Sequence, residues 1–311
     1  MGRGDTMNIL DHGIHPAHSM PLPIDVWAPL ARLRAAAPLV HNITNYVVMN
    51  NTANALLAAG ASPAMVHAVE EVEDFVSISQ ALVVNIGTLS SAWVEAMRLA
   101  TARARDGGIP WVLDPVGAGA TEYRTRVATE LARLGPAVIH GNASEVMVLA
   151  GFVGAAGRGV DSTHASDDAL EPARRLAHET GALVAMTGEV DYVTDGTRVV
   201  AIHNGHPMMA RVTGLGCTAS ALVAATLAVA EGDPFGATVA ALAALAVAGE
   251  LAADGAAGPG SLQLRLLDAL YTLDEATLRE RSRVEHRGPS RADMSRDATP
   301  TPERKADVRD R

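Results

Sequence analysis

Pro110-Trp111-Val112-Leu113-Asp114-Pro115-Val116-Gly117-Ala118-Gly119-Ala120 is a short apolar run that ends in an acid and then in a glycine loop. An apolar run of this length, bounded by proline and glycine, reads as a buried strand. At its carboxyl end Asp114 is placed to act as a metal ligand or a base. A helix cap is the structural alternative, but the glycines after Pro115 do not begin a helix. The same design recurs along the chain. Residues 81–88 are mostly apolar and stop at Asn85, Gly87 and Thr88. Residues 137–145 read as strand, turn and helix start, with Glu145 three residues after Asn142 as in a capping arrangement. Residues 182–189 end in Thr187, Gly188 and Glu189. Helical patterns at 91–105, 124–134 and 169–180 separate these runs. Strands alternating with helices predict an α/β fold with a central, mainly parallel β-sheet flanked by helices. The strand ends of such a sheet share one edge, and ligands bind there.

Two further stretches carry candidate binding chemistry. Val212-Thr213-Gly214-Leu215-Gly216-Cys217-Thr218-Ala219-Ser220 is a glycine-rich turn that holds the only cysteine and runs into an alanine-rich helical pattern. Gly214 and Gly216 let backbone N–H groups approach an anion, and a helix N-terminus adds partial positive charge, so the turn is a candidate phosphate cradle. Residues 38–54 follow a short strand with five Asn and two Thr between Asn42 and Asn54. Buried amides need partners, so this cluster either lines a wet pocket or forms a capped turn into a helix ending at Ala59. Elsewhere, residues 192–202 form a hairpin around Asp195-Gly196. The acids Glu70, Glu71, Glu73 and Asp74 suit the start of a helix over 69–80.

Composition narrows the class. The 311 residues are 48% hydrophobic and only 3% aromatic, with a net charge of −10. Nucleic-acid binding needs clustered Lys and Arg, so a small-molecule ligand fits better and no nucleic-acid partner is expected. One cysteine rules out an internal disulfide and a Cys-built metal site, and fits a cytoplasmic protein. Acids and histidines stand where a signal peptide would need an apolar core. The uncharged runs 212–230 and 235–249 read as buried helices, the first shortened by its glycine turn and the second shorter than the ~20 residues that cross a bilayer. We expect a flexible arm over 1–22, a single domain over 23–284 and a disordered charged tail over 285–311. His12, His15 and His18 in the arm are spaced by three, but Gly13 and Pro16 argue against a shared helical face.

Seven segments resemble the hydroxyethylthiazole kinase family. They are PLVHNITNYVVMNNTANALLAAGASPAM (38–65), VVNIGTL (83–89), VLDPVGAGAT (112–121), GNASE (141–145), MTGEVD (186–191), HNGH (203–206) and VTGLGCTAS (212–220). The resemblance implies a ribokinase-like fold and an ATP-dependent kinase of thiamine salvage that uses Mg2+. It implies phosphate transfer to the hydroxyl of 4-methyl-5-(2-hydroxyethyl)thiazole, and a homotrimer whose active sites lie between subunits. Position by position, Asn45, Val47, Met65 and Gly214 match the substrate pocket, and Thr187, with His140 and Gly216, the ATP site. Asp114 and Glu145 match the metal and phosphate acids. Cys217 takes the place of the aspartate base common in ribokinase-like enzymes, to accept the alcohol proton or to orient the hydroxyl.

Two positions depart from the family. His140 stands where it usually has arginine, which predicts weaker or altered nucleotide binding and a lower KM for ATP in His140→Arg. Leu215 stands where it usually has Ala or Thr, and its bulk is expected to narrow the glycine loop.

Overall fold

The apolar runs pair side by side. In the computed structural model, which describes residues 24–151 and 168–287, six strands lie parallel. They are Leu39–Ile43 (β1), Ser62–Met65 (β2), Ala81–Asn85 (β3), Trp111–Asp114 (β4), Val138–Asn142 (β5) and Leu183–Thr187 (β6). Asp191–Thr194 (β7), Val199–Ile202 (β8) and Val284–Arg287 (β9) extend the sheet antiparallel, in the order β2-β1-β3-β4-β5-β6-β7-β8-β9. The parallel strands are apolar at successive residues because both faces are covered. Val83, Val112, Val138 and Ala185 enter one core, and Leu82, Val84, Leu113, Ile139 and Val184 the other.

The first face is covered by Ala28–Ala36 (α1), Met49–Ala59 (α2), Leu215–Leu227 (α8), Pro234–Ala253 (α9), Pro259–Thr272 (α10) and Glu275–Arg281 (α11). The second is covered by Val72–Ile78 (α3), Ser91–Gly107 (α4), Glu122–Ala132 (α5), Ala143–Leu149 (α6) and Leu170–Thr180 (α7). The sequence-based fold class therefore holds. Register places the polar strand ends together: Asn85 stands opposite Asp114, and Asn142 opposite Thr187.

Two expectations change. The second apolar helix is longer than its uncharged run. Asp233 accepts from Gly236 N, Pro234 opens the first turn, and α9 reaches 20 residues. It is long and apolar enough to cross a bilayer, but 89% of its most apolar window is buried in the fold, so burial and not length marks it as a core helix. The sheet also reaches past the boundary expected at 284. Residues 284–287 form β9, with Ile202 opposite Val284 and Val199 opposite Arg287. The ladder to β8 orders a stretch whose charged composition carries no strand signal. The arm 1–22, the loop expected over 155–167 and the rest of the tail lie outside the described residues.

Candidate active site

β3 and β4 end next to each other, and their last residues bond. Asn85 Nδ2 donates to Asp114 Oδ2 at 2.6 Å. The Asn85 side-chain Oδ1 accepts from Gly87 N and from Asn45 Nδ2, both at 2.9 Å. Asn45 Nδ2 also reaches Cys217 Sγ at 3.5 Å, and its Oδ1 accepts from Val47 N at 3.1 Å. Gly87 is required here, because a Cβ would stand 2.6 Å from Asn45 Nδ2. Of the two readings of the Asn-rich stretch, the helix cap does not form, because Val48 stands at the N-cap of α2 without a side-chain cap bond. Asn45 closes a turn with its own chain and lies 4% exposed at the strand ends. Asn50, Asn51 and Asn54 ride on α2 and line a separate cavity.

From the other side, α8 brings Cys217 and Ser220 to the same acid. Ser220 Oγ donates to Asp114 Oδ2 at 2.8 Å, and the Cys217 thiol lies close enough for the Asp114 charge to act on it. Asp114 is buried, with a pKa pushed up to about 7. Burial is the main cause and the nearby Glu145 charge the next, against the donors Ser220 and Asn85 and the Cys217 thiol. The Cys217 thiol is pushed up to about 12 by burial and then by the Asp114 charge, with Glu145 adding to it. At neutral pH it is a thiol, able to donate a hydrogen bond, and not a thiolate.

Glu145 does two jobs. It completes a capping box at the start of α6: Asn142 Oδ1 accepts from Glu145 N, and Glu145 Oε2 accepts from Asn142 N at 2.9 Å. Its Oε1 accepts from Gly117 N at 2.8 Å, which ties the glycine loop after β4 to α6. Burial raises its pKa, and the two backbone donors only partly oppose this. Arg124, which carried no sequence signal, braces the same loops: its guanidinium donates to the carbonyls of Ile86, Gly87 and Val116 at 2.7–2.9 Å.

No cluster of three or more Asp, Glu, His or Cys occurs among the described residues, so no all-protein metal cage is present there. Two buried carboxylates, with the Glu145 charge acting on Asp114 and no charge-assisted bond from a cationic side chain among the described residues, suit Mg2+, which binds through one or two carboxylates, water and phosphate oxygens.

The glycine turn has the expected geometry. Gly214 is left-handed at φ 82°, and a Cβ there would lie 2.5 Å from Val48 Cγ1. Gly216 faces open space. The first intrahelical bond runs from Thr218 N to Gly214 O, so earlier N–H groups of the turn remain for a ligand. Leu215 does not narrow this loop. It packs against the core and lines a cavity of about 260 Å³ with Asn50, Asn51 and Asn54.

The remaining expected residues spread out. Val47 is exposed beside Asn45, and Met65 is half-buried at the end of β2. Thr187 is half-buried at the end of β6, where Asp191 ties down the following loop by accepting from Gly188 N. His140, expected at the nucleotide, is 1% exposed and hydrogen-bonds Ser220 behind Asp114. It offers a nucleotide no surface, because β5 points this side chain into the fold under α8. A gain from His140→Arg would need the longer side chain to leave this slot. Asn85 and Ser220 were missed as site residues although both stand in stretches singled out in the sequence. What they lack is a charge or a nucleophile to draw attention.

Comparison with known proteins gives the family. Residues 30–276 match the model of the hydroxyethylthiazole kinase family. A hydroxyethylthiazole kinase from Granulibacter bethesdensis is 59% identical over 254 residues, which is 82% of this chain and 92% of that protein. The structure of a hydroxyethylthiazole kinase from Pyrococcus horikoshii OT3 superposes with a TM-score of 0.78 at 45% identity, covering 84% of this chain and 98% of that one. The ADP complex of pyridoxal kinase from Staphylococcus aureus shares the fold, with a TM-score of 0.53 at 17% identity over 68% of this chain and 87% of that one. The chain therefore belongs to the hydroxyethylthiazole kinase family.

Proposed function

We propose that this protein transfers the γ-phosphate of ATP to the hydroxyl of 4-methyl-5-(2-hydroxyethyl)thiazole, giving the thiazole phosphate used in thiamine diphosphate synthesis. The observation that carries this is the meeting of Asp114, Glu145 and Cys217 at the open N-terminus of α8. Catalysis of phosphoryl transfer is mostly positioning and charge neutralisation, and these groups provide both. Asp114 and Glu145 are the residues that would hold Mg2+, directly or through water, and the ion would neutralise phosphate charge. The N–H groups from Gly214 to Cys217 cradle the phosphates. Asn45 and Met65 border the thiazole, and Val47 lies at the rim. Cys217, protonated at neutral pH, orients the substrate hydroxyl and does not act as a free thiolate base. Exposed Tyr46 and Val47 beside the pocket suit a site completed by a neighbouring copy, in a cytoplasmic homotrimer.

The test is a coupled ADP-release assay with Mg-ATP, offering hydroxyethylthiazole, hydroxymethylpyrimidine and pyridoxal in parallel, with product masses checked. ADP release with a phosphorylated thiazole alone is expected. Turnover only with another alcohol would overturn the substrate, and nucleotide binding without any turnover would overturn the activity.

A further inference from the structure

Asp114 is held from behind by a directed chain of donors. Its Oδ2 accepts from Asn85 Nδ2 and from Ser220 Oγ. A serine hydroxyl has one proton to give. With that proton on Asp114, any further polar neighbour of Oγ must either donate or compete for it. His140 Nδ1 lies 2.8 Å from Ser220 Oγ, so Nδ1 carries the hydrogen and donates. Nε2 is then a bare lone pair, and it is the atom that lies buried without a hydrogen-bond partner. Burial also pushes the His140 pKa down to about 4, which keeps the ring neutral. The remaining competitor is the Gly216 carbonyl, 3.3 Å from Oγ, the kind of back-bond a helical serine ordinarily makes. A donor from His140 polarises the hydroxyl toward the carboxylate. All four side chains are at most 3% exposed.

We propose that Ser220 and His140 are positioning residues for Asp114: His140 Nδ1–H sets Ser220, and Ser220 Oγ–H with Asn85 pins Asp114 Oδ2, which fixes how the carboxylate faces the cation and phosphates. This rests on the reading of Asp114 as the cation-facing acid. Histidine at 140 thus has a role here that differs from the nucleotide contact expected of arginine at this position.

The experiment is Mn2+ affinity by electron paramagnetic resonance in the presence of a non-hydrolysable ATP analogue, with melting curves to verify folding. Ser220→Ala is expected to weaken Mn2+ binding about tenfold, the low end of what removing a partner behind a ligand costs, and His140→Leu, one bond further from the carboxylate, about threefold. His140→Asn keeps an N–H near the Nδ1 position and is expected to stay within about twofold of the wild type. The double variant Ser220→Ala/His140→Leu is expected to be no weaker than Ser220→Ala alone, because both act through one hydroxyl. Wild-type affinity in Ser220→Ala, equal loss in His140→Asn and His140→Leu, or additive loss in the double variant would each overturn the proposal. Should His140→Leu fail to fold, Ser220→Ala and His140→Asn carry the test. Asp114→Asn serves as the reference. If it binds Mn2+ like the wild type, the reading of Asp114 itself falls, and the proposal with it.

Discussion

Two acid clusters in this fold meet opposite ends. Glu250, near the end of α9, is surrounded by Arg283 Nη2 at 2.5 Å, Asn204 Nδ2 at 3.1 Å and Gly205 N at 2.9 Å. Burial pushes its carboxyl up, but these donors more than offset that, and it sits below the ordinary range. Asp114 and Glu145 are more deeply buried, and their donors among the described residues are neutral, so both sit above it. The fold supplies a guanidinium where a carboxylate only has to hold two elements together. At the strand ends it leaves the charge over. That surplus is unfavourable to folding and useful for a ligand that brings a cation, which is the physical mark of a site as opposed to a brace.

The comparison can be broken by substitution. Asp114→Asn keeps an acceptor for Asn85 and Ser220 but removes the charge, and should lower kcat by about 10³-fold in the ADP-release assay, the scale of a lost charge-stabilising group. A loss under tenfold would make Asp114 no different in kind from Glu250. Glu145→Gln should cost about 10²-fold. Glutamine also serves in a capping box, so α6 should persist and the melting temperature should fall by only about 2 °C.

Cys217→Ala should lower kcat about tenfold and Cys217→Ser about threefold, as expected for orientation and not base catalysis. With the thiol raised to about 12, the pH profile should carry no limb near pH 8–9 that Cys217→Ser abolishes. Finding one would restore the base. Glu250→Gln sharpens the contrast from the other side. Arg283 is half exposed, so after screening the pair is worth about 1 kcal/mol. The melting temperature should drop about 2 °C, with turnover within twofold.

The sequence showed the fold more fully than the site. Parallel strands buried on both faces leave apolar runs, and these located β3 to β6, while the Asp195-Gly196 turn located β7 and β8. β9 was invisible because an edge strand of Val284, Glu285, His286 and Arg287 has the composition of a solvated tail. Asp114 stood out as a candidate because an acid at the end of an apolar run is unusual, whereas Glu145 read as a helix cap until the resemblance marked it. Their roles were not legible, because the second partner of each comes from far along the chain: Ser220 for Asp114 and Gly117 for Glu145. The partner of His140 was hidden for the same reason, since strand periodicity gives two faces but not which helix covers one of them. The matching segment at 203–206 shows the converse. Asn204 and Gly205 bind Glu250, and Asn204 also bonds the Arg281 carbonyl and Arg283 N, so resemblance there reports a brace and not a binding site.

The account turns on Asp114 being ionised at a cost until a cation arrives. Its pKa is raised from 3.8 to about 7, so between those values the folded chain binds a proton that the unfolded chain has lost. The ionisation therefore opposes folding increasingly as pH rises through this window, in full above about pH 7 and not at all below about pH 4. Calorimetric melting of the wild type and Asp114→Asn, without ligand and from pH 5 to 8.5, tests this directly. We expect Asp114→Asn to melt higher, by on the order of 5 °C at pH 8, with the gap closing as pH falls and Mg2+ with an ATP analogue stabilising the wild type more than the variant. A variant that melts lower at pH 8, or a gap that does not change with pH, would contradict it.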